Sequence, residues 1–303
     1  PGKAKEGTGD GPIPGESVLQ SLAMNPALSR GDLVKGIAGA AAALAAGCQS
    51  EAPAPEEAAS EPPLKIVDPH VHVWVNDPKY PWPEENRNPP KEDATAETLL
   101  ALMEAHGVSN TVIVHPMHYR WDCRYVGDVV KKYPKKFQGV CRVNPEAADA
   151  ADELSKWTEE WGFKGVRLSP SPSAAGDWIT KTELMDPIWS RAEQLKVPML
   201  LLTKTSRLPD AQKYIEKYPD LDVVIDHMAD CRPADPSEEL DKLLTLAKFP
   251  RVYCKISHTW SISSEAYPYR DTWDQVKKVY DAFGPQRTMW GTDWPASKPK
   301  IEY

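Results

Sequence analysis

The stretch from Pro198 to His227, PMLLLTKTSRLPDAQKYIEKYPDLDVVIDH, contains the repeating unit of the molecule. A short apolar run at Pro198–Thr203 gives way to a helix-like stretch at 208–218, and a second apolar run follows at Val223–His227. Strand, helix, strand in that order calls for parallel strands joined by a crossover helix. The same alternation continues outward in both directions. Further strands are expected at Leu64–Val71, Thr111–His115, Phe137–Val143, Gly165–Leu168, Val252–Ser257 and Thr288–Gly291. Helices are expected near 95–106, 123–133, 149–161, 182–195, 237–247 and 271–283, the first placing Leu99, Leu100 and Met103 on one face. Eight strands with seven helices between them, in roughly 240 residues, fit an α/β fold of the closed (β/α)8 TIM barrel type that lacks its final helix in this chain. An open doubly wound sheet is the alternative, and the absence of G-x-G-x-x-G after the first strand counts against it.

The candidate chemistry concentrates where these strands end. His70-Val71-His72 closes the first strand, and side chains at i and i+2 share a face. Both imidazoles then point inward at the C-terminal mouth, where barrel enzymes keep their active sites. Two imidazoles so placed can ligate one divalent cation. Trp290-Gly291-Thr292-Asp293-Trp294-Pro295 follows the eighth strand. Closure of a barrel sets strand eight beside strand one and so brings Asp293 to His70 and His72. A carboxylate there binds a metal or takes a proton from an attacking water; the plainer role for Asp293 is a helix N-cap ahead of Pro295.

Val224-Ile225-Asp226-His227 ends strand six, with His227 expected to point into the same mouth as a metal ligand or a carbonyl-polarising acid. His115 ends strand two and His258 follows strand seven, so five of the seven histidines fall at strand ends. Arg142, Arg167 and Lys204 lie at or near the ends of strands three, four and five. A cation there can hold a substrate carboxylate or carbonyl, Arg167 foremost, or form a structural salt bridge under the rim. Trp74, Trp82 and Tyr119 are candidate pocket walls, and Tyr80-Pro81-Trp82-Pro83 is a rigid loop suited to that position.

Composition narrows the classes. A hydrophobic fraction of 41% and a charged fraction of 26% are those of an ordinary globular protein. A net charge of −8 with no basic cluster excludes a general nucleic-acid binder. Eleven Trp against four Phe supply flat apolar faces with one donor each, which suit pocket walls as well as cores. None of the five cysteines sits in a C-x-x-C pair, so a structural zinc knot is not expected. Cys123, Cys141, Cys231 and Cys254 are open to either thiol or disulfide.

The N-terminal segment reads as a processing signal. Residues 30–48, RGDLVKGIAGAAAALAAGC, place Arg30 and Lys35 ahead of an apolar run from Ile37 to Gly47. That run falls short of the roughly 20 residues a membrane span needs, and fits a signal-peptide core. Ser29–Lys35 resembles a twin-arginine signal with Gly31 at the second arginine position, and Leu44-Ala45-Ala46-Gly47-Cys48 resembles a lipoprotein cleavage site. Residues 1–48 are therefore expected to be an export segment, with Met24 a sensible start after a spurious extension, and Cys48 its lipid-bearing residue. Residues 49–63, QSEAPAPEEAASEPP, are expected to be a solvated linker. Residues 64–303 are left for the barrel, on an exported periplasmic or cell-surface lipoprotein whose sole tie to the membrane is Cys48.

Asp68-Pro69-His70-Val71-His72-Val73-Trp74, Tyr80-Pro81-Trp82, Val224-Ile225-Asp226-His227 and Met289-Trp290-Gly291-Thr292-Asp293-Trp294-Pro295 resemble, in that order, the amidohydrolase-related family. The branch is the one that holds sugar-lactone and pyrone-dicarboxylate lactonases, and the resemblance spans roughly residues 64–303. It implies a (β/α)8 barrel that hydrolyses a cyclic ester or related carbonyl compound. It implies His70 and His72 as metal-side histidines, Asp293 as general base, and His227 as a metal-side or substrate-polarising histidine. Gly165-Val166-Arg167-Leu168 matches a further strand of the family. Two departures stand out. Leu201-Leu202-Thr203-Lys204 lacks the strand-five histidine that decarboxylases of the superfamily use for metal, in agreement with the lactonase branch. Asp226-His227-Met228-Ala229-Asp230-Cys231 departs from the Gly/Lys-Pro continuation usual in lactonases.

The expected activity is metal-assisted hydrolysis of a small-molecule lactone. The metal sits on His70, His72 and Asp293, zinc first, with manganese or no metal as alternatives. Asp293 deprotonates water, His227 polarises the carbonyl, and Arg167 or Lys204 steadies a substrate oxygen, with His115, His258, Trp82 and Tyr119 completing the substrate site. A metal-dependent decarboxylase of an unsaturated acid and a lipid-anchored binding protein with a decayed site are the rival readings.

Overall fold

The computed structural model describes residues 65–169, 178–298, 300, 301 and 303. The export segment 1–48 with Cys48 and the linker 49–63 lie outside the described residues.

Eight strands alternate with helices: β1 Ile66–Val71, α1 Ala96–Ala105, β2 Val108–Val114, α2 Arg124–Lys132, β3 Phe137–Val140, α3 Ala150–Glu159, β4 Val166–Leu168, α4 Thr182–Leu195, β5 Met199–Leu201, α5 Leu208–Lys217, β6 Val223–Ile225, α6 Ser237–Thr245, β7 Val252–Lys255, α7 Thr259–Ile262, α8 Trp273–Phe283 and β8 Thr288–Met289. Local chemistry accounts for typical boundaries. Thr95 caps α1 by accepting the amide of Thr98, and the helix buries Ala96, Leu99 and Met103. Met199-Leu200-Leu201 and Val223-Val224-Ile225 are unbroken apolar runs because both faces of each strand are covered.

All pairing is parallel, in the orders β1-β2-β3 and β4-β5-β6-β7-β8. Two short bridges join these runs into a ring. Cys141 pairs with Val166, the amide of Cys141 donating to the carbonyl of Gly165 and that of Arg167 to the carbonyl of Cys141, both at 2.9 Å. At the other seam Val71 pairs with Trp294. There the amide of His72 donates to the carbonyl of Trp294 (2.7 Å), and the amide of Asp293 to the carbonyl of His70 (2.9 Å). The expected barrel thus closes with strand eight against strand one.

The core has two layers. Val112, Val114, Val140, Leu200 and Val224 plug the lumen, with Tyr253 and Met289 packed against them. Ile113, Leu168, Leu201 and Ile225 face outward, in one cluster with Leu99, Leu154, Trp189 and Phe283 of the helices. Each such side chain contributes about 2 kcal/mol by leaving water. Cys123, Cys141, Cys231 and Cys254 are free and buried. Burial pushes the Cys123 thiol up to about 12 and that of Cys231 to about 11, so these two are inert packing groups at neutral pH.

The helices match the expected segments within a few residues, but several strands stop early, at Val140, Leu201, Ile225, Lys255 and Met289. Beyond those points the chains leave the ladder to form the rim of the mouth, so Arg142, Asp226, His227, His258 and Asp293 sit just past the strands, while His70, Arg167 and Lys255 lie within them.

Candidate active site

The site begins at the closing seam. His70 and His72 are buried, and each imidazole has a second partner that fixes its role. His72 Nδ1 lies 2.7 Å from the carbonyl of Val114, which can only accept. Nδ1 therefore carries the proton, and Nε2 faces Asp293 Oδ1 at 3.2 Å. Two lone pairs do not face one another at that distance without a positive centre between them, either a proton or a metal ion. His70 Nε2 lies 3.7 Å from the same oxygen and has no hydrogen-bond partner among the described residues. His70, His72 and Asp293 thus fit a divalent ion by convergence, burial and donor type.

Asp293 is held rigidly in this position. Its backbone is left-handed at φ 57°, and Asp68 staples the adjoining turn to β1. Asp68 accepts the amide of His70 (3.0 Å), the amide of Thr292 (3.3 Å) and the hydroxyl of Thr292 (2.5 Å). Gly291 lets the two segments approach closely, since a Cβ there would stand 3.1 Å from Cβ of His70 and force a small shift. Burial raises the Asp293 carboxyl, but the His72 hydrogen bond and the pull of the surrounding imidazoles outweigh it and hold the group well below the usual carboxylate range. Its second oxygen, Oδ2, faces His258 Nε2 at 3.6 Å.

The far wall comes from β4, β6 and β7. Asp226 continues the inward side of β6 from Val224. It accepts from Arg167 Nε (2.8 Å) and pairs with Lys255 Nζ (3.0 Å). Burial opposes its charge, yet Lys255 and Arg167 keep it well below the ordinary carboxylate value. Lys255 Nζ also stands 3.1 Å from His70 Nδ1. Asp226 Oδ1 stands 3.6 Å from the same nitrogen and 3.0 Å from the ammonium, so with Lys255 turned to Asp226 the His70 proton sits on Nδ1 toward that carboxylate and Nε2 is free as a ligand.

His227 reaches the mouth by a different route from the one its strand suggested. β6 ends at Ile225, and simple alternation after inward-facing Asp226 would turn His227 away. Instead His227, Met228, Ala229 and Asp230 form a left-handed turn, with φ from 52° to 54°. L-residues adopt this conformation at a cost of about 1 kcal/mol or more each. The turn brings the His227 ring to 4.6 Å from both His70 and His258, with Nδ1 2.8 Å from Ser257 Oγ. Burial pushes His227 down to about 3, so it works as a neutral imidazole. His258, also left-handed at φ 69°, stands between Asp293 and Asp230, its Nδ1 3.7 Å from Asp230 Oδ1.

The other sequence candidates divide. Arg167 is buried at the site but committed to Asp226, so it orders the wall. His115 is fully buried, stacked on Tyr119 with centroids 6.1 Å apart, and burial holds it near 3. Tyr119 and Trp82 stack at 4.3 Å beside the mouth, Tyr119 donating to the carbonyl of Val75 (2.8 Å). Lys204 is exposed on the rim and is not brought into the buried cluster. Sequence reading missed Asp226, Lys255, Asp68 and Asp230 as site residues. An inward-parity charge inside an apolar strand, as in Val252-Tyr253-Cys254-Lys255, is the signal that marks two of them.

Comparison with known proteins gives the family. The amidohydrolase family model matches residues 67–303. An L-fucono-1,5-lactonase of Burkholderia ambifaria is 30% identical over 77% of this chain and 81% of its own. A 2-pyrone-4,6-dicarboxylate hydrolase of Comamonas testosteroni is 29% identical over 77% of each chain. An amidohydrolase of Burkholderia multivorans, solved with bound zinc, superposes with a TM-score of 0.64 at 22% identity, over 79% of this chain and 87% of that one, a likeness of fold. With the family model spanning the whole barrel and a relative at 30% identity across most of it, this chain belongs to the amidohydrolase family.

Proposed function

We propose that this protein is a hydrolase that opens a lactone by adding water to the ring carbonyl, with a divalent metal, zinc in the first place, assisting at His70, His72 and Asp293. The observation that carries the reading is the buried Asp293 carboxylate, held ionised with one oxygen toward two imidazoles and the other toward a third. Such a group is a base for a water seated among them. The named lactone hydrolases among the relatives support the same chemistry.

Asp293 accepts one proton of the water, and the oxygen forms the new bond to the carbonyl carbon. His227, neutral and oriented by Ser257, donates a hydrogen bond to the carbonyl oxygen. The ring C–O bond then breaks, and the proton held by Asp293 passes to the departing oxygen, giving the hydroxy acid. A bound divalent ion lowers the pKa of water and draws charge from the carbonyl. Arg167 and Lys255 keep Asp226 ionised, and Asp226 in turn fixes them beside His70.

Asp293→Asn tests the reading. It is expected to lower kcat/KM on lactones by about 10³-fold or more while the thermal midpoint stays near that of wild type. Full retained activity would refute the role, and release of CO₂ in place of a ring-opened acid would move the reaction to the decarboxylases. We also propose an exported lipoprotein anchored at Cys48, supported by the motif at residues 44–48; Cys48→Ala should shift the protein from the membrane fraction to the soluble one.

A further inference from the structure

Three cations line the inner wall of the barrel mouth, and their treatment differs. Arg167 and Lys255 share the carboxylate of Asp226. Arg142 has no carboxylate among the described residues. It follows β3 on the inward side set by Val140, is 4% exposed, and its Nε makes no hydrogen bond among the described residues. Its guanidinium lies against the face of Trp121, 5.0 Å from the ring centroid. Burial, then Arg167 and Arg120, push it down to about 9 against an opposing pull from Cys123, which still leaves it charged at neutral pH, and no carboxylate is among the groups acting on it.

A buried guanidinium with like-charged neighbours is costly, and a purely structural arginine would be given a counter-charge as Arg167 is. The unmet requirement lies beside the reacting centre. β3 pairs with β2 at Val114–Val140, and the carbonyl of Val114 holds His72. On its other side β3 meets β4, the strand of Arg167, through the bridge from Cys141 to Val166. Arg142 therefore lies directly beside β4, whose Arg167 belongs to the Asp226 wall, and two strands from the metal-side histidines of β1, with β2 between them.

We propose that Arg142 seats a carboxylate of the substrate, so that the lactone opened here is an acidic one. The inference rests on the lactonase reading and narrows its substrate class. A planar carboxylate meets the guanidinium fork with paired charge-assisted hydrogen bonds, and Trp121 holds the fork flat for it. A neutral lactone leaves the buried cation unmet, so discrimination against it comes from the same residue.

The test uses a γ-lactone bearing a ring carboxylate and the same lactone as its carboxamide. Both are followed by steady-state hydrolysis and by isothermal titration, on wild type, Arg142→Met and Arg142→Lys. Wild type is expected to favour the acid by about 10²-fold in kcat/KM and to bind it more tightly. Arg142→Met should erase at least a tenfold share of that preference, with Arg142→Lys intermediate. Because it removes a buried unpaired charge, Arg142→Met should hold or raise the thermal midpoint, which a structural salt-bridge arginine would not do. Equal use of acid and amide by wild type, or an unchanged preference in Arg142→Met, overturns the inference and leaves the lactonase reading standing. Arg142-dependent binding of the acid with hydrolysis of neither compound supports the carboxylate seat and overturns the lactonase reading.

Discussion

The lumen of this barrel has two ends built from the same strands. Toward the bottom, Val112, Val140, Leu200 and Val224 form an apolar plug. A residue or two further along each strand the inward positions become Arg142, Asp226 and Lys255, and across from them His70 and His72. One end lowers free energy by excluding water. The other keeps charges buried, holds His227, His258 and Asp293 in left-handed backbone and leaves the Arg142 guanidinium without a carboxylate among the described residues. The lesson is a division of labour along each strand: the apolar end supplies the stability that the polar end gives up.

That contrast can be broken from either side. Asp226→Asn is expected to have the larger effect, because it strands two buried cations and loosens His70. It should cost about 3–5 kcal/mol in urea unfolding and reduce turnover as well. A loss under 1 kcal/mol would mean that the wall does not depend on this carboxylate. Leu200→Ala, in the plug, should cost about 3 kcal/mol of stability yet leave kcat/KM within about twofold, since it removes packing without touching the rim. A large fall in activity would show that the two ends are coupled.

Acid offers a graded version of the same test. Burial depresses His115 and His227 to about 3, from an ordinary 6.5. Between those values the unfolded chain takes up a proton at each and the folded chain does not. Their contribution is thus fully present above pH 6.5 and is lost as pH falls toward 3. Around pH 5 the two together should give a slope of about 2.7 kcal/mol per pH unit in chelator-treated protein. A flat stability profile from pH 6.5 to 4 would contradict their burial as neutral rings.

The barrel was legible because its signal is repeated eight times, and alternation of short apolar runs with amphipathic helices survives errors at any one boundary. His70, His72 and Asp293 were legible for a related reason: the strand period fixes the first two, and ring closure brings the third to them. The route of His227 was not, because four successive left-handed residues with side chains carry no glycine to announce them. Asp226 and Lys255 hid in apolar strands, where a charge is readable only once inward parity is known. Lys204 is exposed at its strand end, from where its charge acts on Asp230.

The seam between β1 and β8 has a consequence for how the molecule matures. Thr292 and Asp68, which lock it, are 224 positions apart along the chain. No partial fold from the ribosome, and no fragment cut before Met289, can assemble the reacting centre, however many strands it has already stacked. Catalysis in this architecture waits on the arrival of β8 and Asp293, and the onset of activity during refolding serves as a clock for docking of that strand.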